Sequence, residues 1–173
     1  MTSTPELSQI GTALVRVAPV VLSSASLMLS WVQTILFASF LTPSLRNDPS
    51  HPSGVLLPRY IPALLKRGLY GIFLTYPPTL ILSFVNGFAT YHNPWIARLY
   101  LAGGVLSLGH FVWAPPTQRL LAKIKNAKDA PVSNEKDVER WLGLHNTRTL
   151  VVNLPAHLCL LGATLGLVAQ AVV

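Results

Sequence analysis

Four stretches of the chain are almost wholly apolar, and polar segments rich in basic residues separate them. The stretches cover approximately residues 17–41, 69–85, 95–113 and 150–173. A helix that crosses a bilayer needs about 20 apolar residues in a row, and the second and third stretches are near the short limit. The pattern predicts an all-α fold, an integral membrane four-helix bundle that forms one domain over residues 1–173. The connecting loops are predicted at 42–68 and 114–149.

Polar side chains inside the apolar stretches recur at helical spacing. When each stretch is wound at about 100° per residue, they fall on one side of the first three helices and on two adjoining stripes of the fourth. The fourth-helix stripes are Asn146, Thr149, Asn153 and His157, and Trp141, His145 and Arg148. Small hydroxyl residues usually serve packing between membrane helices. Ser30 and Thr79 are therefore interpreted first as packing residues and second as contacts to a ligand.

His157 is the most unusual residue of these stripes. It follows Arg148 by nine residues, which places it roughly 14 Å deeper along a helix, near the middle of a hydrocarbon core about 30 Å thick. Ionisable residues at that depth usually face a cavity or a partner. No Asp or Glu lies in the four stretches, so we expect a neutral imidazole that pairs with a hydroxyl, an amide, a carbonyl, water or a ligand. A structural histidine and a functional one both remain open.

Composition and charge strengthen the membrane prediction. Hydrophobic residues make up 51% of the chain and charged residues only 11%, against about 25% charged in soluble domains, and the mean hydropathy is +0.47. Eleven of the thirteen Lys and Arg residues lie in the two predicted loops. Because cytoplasmic loops carry such an excess, both termini are predicted to be lumenal or external. The net charge of +7 then indicates orientation and attraction to membrane lipid, and no nucleic-acid partner is expected.

The chain lacks the sequence motifs of several common classes of enzyme and metal site. There is no glycine-rich dinucleotide motif, P-loop or nucleophile elbow. The single Cys159 excludes a multi-cysteine metal site, and the five histidines are widely scattered. We therefore predict no bound metal and no bound cofactor. The absence of a carboxylate from the apolar stretches also disfavours a cyclase that protonates an alkene or an epoxide.

Two segments carry a family resemblance. They are HFVWAPPTQRLLAKI at 110–124 and WLGLHNTRTLVVNLPAHLCLLG at 141–162. With the four-span layout, they resemble the anthrone oxygenase family of small membrane proteins, although Gln118 stands where asparagine is more usual. The resemblance implies an enzyme that needs no cofactor and oxidises an anthrone to an anthraquinone with O2 as co-substrate. Carried over by position, its motif residues are Trp141, His145, Asn146 and Arg148, with Thr117 and Gln118 as weaker candidates.

A mechanism follows as a hypothesis. His145 or His157 removes a proton from a lipophilic aromatic substrate, and Asn146, Asn153 or Arg148 stabilises the enolate oxygen. O2 then accepts electrons from the carbanion. The residues expected to contact the substrate are Trp141, Asn153, His110, Trp113, Ser30 and Thr79. For Trp113 the alternative is an interfacial aromatic belt.

Three other interpretations of the chain stay open. The first is a related enzyme that drives a cyclisation or an isomerisation by proton transfer. The second is a membrane scaffold that recruits soluble pathway enzymes. The third is a carrier or channel subunit, for which a homo-oligomer is possible. By family analogy, we expect the endoplasmic reticulum membrane.

Overall fold

The protein is described by a computed structural model that covers residues 7–50, 53–126 and 131–172. All its regular structure within these ranges is helical, which confirms the predicted all-α fold. The helices are α1 Leu7–Ser39, α2 Pro43–Arg46, α3 Ser53–Ala89, α4 Pro94–Val112, α5 Ala114–Asn126, α6 Pro131–Arg148 and α7 Leu154–Val172, with a wider π-helical turn, Thr149–Asn153, between α6 and α7.

Four helical units are long and apolar enough to cross a membrane. They are Leu7–Ser39, Ser53–Ala89, Pro94–Asn126 and Asn134–Ala171. The number and order of the units agree with the four apolar stretches of the sequence. We therefore treat the chain as a multi-pass membrane protein, while its orientation and its membrane stay predictions.

The helices extend well beyond the apolar stretches. The sequence predicts loops at 42–68 and 114–149, but α3 begins at Ser53, and α5 and α6 cover most of the second segment. These basic segments hold apolar residues at helical spacing, and their side chains form a buried cluster with α1. The cluster comprises Phe37, Leu57, Ile61, Leu121, Ile124, Val138, Trp141 and Leu142.

Polar contacts fix the first half of α6 against the end of α2 and the start of α3. Arg46 forms ion pairs with Glu135, at 3.3 Å, and with Glu139. Ser53 Oγ donates a hydrogen bond of 2.6 Å to Glu135, and Asn134 Nδ2 donates one of 2.9 Å to the carbonyl of Gly54. These contacts lie in the first half of α6, and its Trp, His and Arg residues follow in the second half.

Small residues allow the other half of the bundle to pack closely. A Cβ atom on Gly103 of α4 would lie 2.7 Å from the side chain of Leu160 on α7, so the two helices approach to a distance that only glycine permits. The hydroxyls of Thr75, Thr79 and Ser83 donate to carbonyls four residues earlier in α3, at 2.6–2.8 Å. Both features are typical of packing between membrane helices.

The π-helical turn changes which residues of the fourth unit share a face. The N–H of Leu154 bonds to the carbonyl of Thr149, five residues earlier. The adjacent Pro155 has no N–H, and in a regular helix its ring would crowd the carbonyl of Val151. The wider turn rotates everything after it by about 100° relative to a continuous α-helix. Asn153 therefore joins the face of His145, and the predicted stripe from Asn146 through Asn153 is wrong.

Candidate functional site

Among the spaces that polar side chains of the described residues line, two contain most of the predicted site residues. The first, here called the inner cavity, has a volume of about 70 Å³, and its polar lining residues are Ser26, Ser30, Gln33, Tyr76, His110, Thr117, Trp141 and Arg148. The second, here called the outer groove, has a volume of about 610 Å³ and is partly open to the outside. It is lined by Ser24, Leu27, Met28, Trp31, Thr34, Asn146, Thr149, Leu150, Leu154 and His157.

His145 is buried beside the inner cavity and uses both ring nitrogens. Arg148 Nη2 donates to His145 Nδ1 at 2.9 Å, because a guanidinium can only donate. The proton of His145 therefore lies on Nε2, which donates to the carbonyl of Ser30 at 3.0 Å. The Trp141 ring stacks on the imidazole, with centroids 4.7 Å apart, and Phe37 packs against Trp141. In this arrangement His145 orients Arg148 and has no free lone pair.

Arg148 is a buried cation without an acidic partner. Its exposed fraction is 8%, and the ion pairs within the described ranges join Arg46 to Glu135 and Glu139, and Arg140 to Asp137. A buried charge is costly unless other groups compensate it. The inner cavity therefore favours a guest that brings negative charge, or an oxygen atom on which negative charge develops.

Four buried donor groups lie at or next to the inner cavity. Arg148 Nε, Trp141 Nε1, Tyr76 Oη and Asn153 Nδ2 form no hydrogen bond with any described residue. The first three belong to the lining of the cavity, and Asn153 lines a narrow void of about 10 Å³ that also borders Tyr76. Tyr76 Oη is close to Ser30 and Asn153 without reaching hydrogen-bond geometry with either. Buried polar groups normally have partners, so this set is suited to hold an oxygen atom of a guest.

His110 brings an unused lone pair to the same cavity. Its Nδ1 lies 3.4 Å from Asn153 Oδ1, an acceptor, so Nδ1 carries the proton and Nε2 the lone pair. The ring packs against Tyr76, with centroids 3.8 Å apart. His110 is therefore the inner-cavity histidine whose second nitrogen can accept a proton.

His157 and Asn146 lie on the outer groove, away from the inner donors. The single hydroxyl proton of Ser23 is donated to the carbonyl of Val20 at 3.0 Å. Ser23 Oγ can then only accept from His157 Nδ1, at 2.9 Å, which leaves the lone pair of His157 on Nε2. Asn146 Oδ1 lies 2.9 Å from Thr34 Oγ1. The four predicted catalytic residues thus divide into the pair His145 and Arg148 and the pair Asn146 and His157.

One turn of α1 separates the two spaces. The carbonyl oxygen of Ser30 accepts from His145 Nε2 on the inner side. The same oxygen lies 3.2 Å from Thr34 Oγ1, which lines the outer groove. The carbonyl of Ser30 therefore contacts both His145, beside the inner cavity, and Thr34, in the lining of the outer groove.

Of the remaining residues predicted to contact the substrate, one lines the inner cavity and two do not. Ser30 lines the inner cavity, whereas Thr79 lines only the narrow void and bonds within its own helix. Trp113, half-buried at the end of α4, lines neither space, so its role as a substrate contact stays a prediction. Sequence reasoning missed Tyr76, because it lies in an apolar run and outside the polar stripe of α3.

The possible metal ligands do not converge in the described part of the chain. Within residues 7–50, 53–126 and 131–172, no three His, Cys, Asp or Glu side chains are close enough to hold one ion. The groups available for chemistry at or next to the inner cavity include the donors of Arg148, Trp141, Tyr76 and Asn153 and the lone pair of His110.

Two curated fungal proteins are similar to the chain over almost its full length. Probable epoxidase scpX of Mollisia scopiformis is 30% identical over 160 residues, which is 88% of this chain and 94% of that protein. Epoxidase pydX of Acremonium sp is 27% identical over 160 residues, which is 88% and 93%. Both are named epoxidases and not anthrone oxygenases, and no family model or solved structure matches. The chain therefore belongs to the same protein family as the probable epoxidase scpX.

Proposed function

We propose that the protein is an oxygen-dependent oxidising enzyme whose reaction takes place at the inner cavity. Its substrate is a lipophilic aromatic or polyketide-derived molecule that carries a phenolic or enolic oxygen. The observation that carries the proposal is the buried Arg148, surrounded by unused donors and next to the free lone pair of His110. The epoxidase names of the two relatives support an oxidative reaction.

The donors bind the oxygen on which charge develops. As the substrate loses a proton, its phenolic or enolic oxygen becomes anionic and is held by Arg148, Tyr76 and Trp141. Donors that are already in place cost no reorganisation at the moment of reaction, and they act strongly in a site without bulk water. Arg148 contributes most, because it is the charged residue among the described residues that line the cavity.

His110 Nε2 accepts the proton. General-base help of this kind typically contributes about 10²–10⁴-fold to a rate. His145 acts as a positioning residue, because its Nδ1 accepts from Arg148 and its Nε2 is anchored on Ser30. This assignment replaces the hypothesis that His145 or His157 is the base.

The electrons come from the substrate itself. In an anthrone, the methylene carbon loses two hydrogens and gains one atom of O2, and the other oxygen atom leaves with the two hydrogens as water. In a hydroquinone, the two hydroxyl hydrogens leave, one oxygen atom bridges a ring double bond as an epoxide, and the other leaves as water. Each reaction transfers four electrons from substrate to O2. Neither therefore requires a separate reductant, and O2 is the co-substrate in both.

The size of the inner cavity limits what enters it. Its 70 Å³ is room for about two water-sized groups, since each water occupies about 30 Å³ in the liquid. O2 or the oxygen-bearing edge of a substrate fits this space, and the ring system has to lie outside it. The hydrophobic ring system of the substrate therefore needs a binding surface outside the inner cavity.

Turnover with labelled oxygen tests the proposal. Protein purified into lipid nanodiscs is incubated with 1,8-dihydroxyanthrone or an alkyl hydroquinone under ¹⁸O₂, without added cofactor, and empty nanodiscs correct for autoxidation. We expect one ¹⁸O atom per product molecule, one O2 consumed per product, and loss of this rate in Arg148→Gln. Equal rates with wild type and Arg148→Gln contradict the proposal. Product formed without O2 supports the proton-driven cyclase or isomerase instead.

A further inference from the structure

We propose that the outer groove is a binding site for a neutral, flat, hydrophobic molecule that carries a hydroxyl group, taken up sideways from the membrane. The hydroxyl donates to His157 Nε2. If this molecule is the substrate, the inference rests on the proposed function. The outer groove is then the surface that binds the ring system of the substrate.

The dimensions and walls of the groove suit a small molecule. Its volume of about 610 Å³ lies within the usual range for ligand sites, about 300–1,000 Å³. The apolar part of its lining comes from Leu27, Met28, Trp31, Leu150 and Leu154. Methionine adapts to irregular shapes, and an indole offers a flat face to an aromatic ring.

The polar part of the lining carries no formal charge. Among the described residues that line the groove, it consists of Ser24, Thr34, Asn146, Thr149 and His157, with no Asp, Glu, Lys or Arg. A phosphate or carboxylate headgroup would find no cation here. The groove is therefore matched to an uncharged occupant, in contrast to the inner cavity with its buried Arg148.

His157 requires that the bound molecule carry a hydrogen-bond donor. Ser23 holds the proton of the imidazole on Nδ1, so Nε2 has a lone pair and belongs to a side chain that lines the groove. At the depth of a membrane span, water is scarce and a polar group needs a partner. A lipid acyl chain has no donor to offer, whereas a phenol, an enol or an alcohol does.

The outer groove lies close to the inner cavity. Thr34 of the groove and His145 beside the cavity both approach the carbonyl of Ser30. A molecule held in the groove is thus next to the turn of α1 that separates it from Arg148. The groove has the size for a ring system and the cavity has donors for one oxygen atom, and the structure keeps the two spaces apart.

Two probes of matched shape test the site. They are 1-naphthol, which has a hydroxyl donor, and 1-methoxynaphthalene, which does not. Binding to the full chain in nanodiscs is followed by quenching of tryptophan fluorescence, with empty nanodiscs subtracted. We expect His157→Leu to weaken 1-naphthol binding about 3- to 10-fold, the effect of one hydrogen bond. Binding of 1-methoxynaphthalene should stay the same.

A filling substitution provides the second test and its control. Leu154→Trp places a large ring in the groove and should abolish binding of both probes. Leu158→Trp makes the same change on an exposed side of α7 outside the groove and should leave binding unchanged. Equal affinity of 1-naphthol for wild type and His157→Leu overturns the inference, as does binding that survives Leu154→Trp.

The test distinguishes this inference from the proposed function. If the groove variants behave as expected while Arg148→Gln keeps its turnover, the groove stands and the proposed function fails. If Arg148→Gln is inactive while the probes bind Leu154→Trp normally, the proposed function stands and the groove is not the binding surface.

Discussion

The inner cavity and the outer groove lie on two sides of the same short segment of helix and differ in almost every physical property. The cavity is small, holds a buried cation, and has donors without partners. The groove is almost nine times larger by volume, uncharged and mostly apolar, and it presents an acceptor on His157. The groove is therefore suited to binding a hydrophobic molecule, and the cavity is suited to acting on an oxygen atom.

The π-helical turn makes this difference possible. A regular α-helix would keep Asn153 in one stripe with Asn146 and His157. The extra residue in the turn places Asn153 opposite His110, while His157 stays on the groove. Wider turns of this kind are frequent at functional sites.

The largest expected effect belongs to the cavity. Arg148→Gln removes the buried charge but keeps a donor of similar length, and we expect kcat to fall about 10³-fold, as for loss of a preorganised donor. Oxygen consumption in nanodiscs measures the rate. The control is Arg119→Gln, an exposed arginine on α5 that lines neither space. A fall in the control as large as in the Arg148 variant would mean that general folding, and not the cavity, sets the rate.

The second effect concerns the base. His110→Gln keeps an amide that can donate to Asn153 but removes the proton acceptor, so we expect kcat to fall about 10²-fold with little change in KM. His157→Gln is the matched variant on the groove side. If His157→Gln shows the larger fall in kcat, the base is the groove histidine and the assignment of roles is reversed.

The third effect is on the packing that brings α4 and α7 together. Valine at position 103 would press against Leu160, whose side chain lies 2.7 Å from the site of the new Cβ. We expect Gly103→Val to lower stability by about 1–3 kcal/mol and to reduce kcat, because it moves His110 away from Asn153. Thermal unfolding in detergent measures the stability. The control is Gly143→Ala, which has open space around its Cβ position, and equal stabilities for the two variants contradict the close approach.

The smallest effect belongs to the groove. His157→Leu should raise KM for a phenolic substrate about 3- to 10-fold and leave kcat near its wild-type value, because one hydrogen bond to the bound molecule is lost. Steady-state oxygen consumption at varied substrate concentration separates the two constants. A fall in kcat without a change in KM would place His157 in the chemical step.

The fold could be predicted from the sequence because hydropathy and length alone decide whether a helix can span a membrane. The helices within the predicted loops at 42–68 and 114–149 are harder to recognise from the sequence, because the basic residues of these segments lower the mean hydropathy. The apolar residues that pack these segments, such as Ile61, Ile124 and Val138, occur at helical spacing but are few. Their helices form because α1, α3, α5 and α6 bury a shared cluster, which is a tertiary effect.

The candidate site could be predicted only in part. Arg148 and His145 are noticeable in the sequence because they are polar residues at the start of an apolar run, and the structure places them together. Asn153 was placed on the wrong face, because a periodicity of 3.6 residues assumes a regular helix and Pro155 widens the turn before it. Tyr76 has no local signal at all. The free lone pairs of His110 and His157 depend on partners from other helices.

The most direct test of the central claim is a structure of the protein with 1,8-dihydroxyanthraquinone, a product of the proposed anthrone reaction. We predict one quinone or phenol oxygen about 2.7–3.1 Å from Arg148 Nε and Tyr76 Oη. A ring system bound elsewhere, with no ligand oxygen within hydrogen-bond distance of these two donors, would contradict the account.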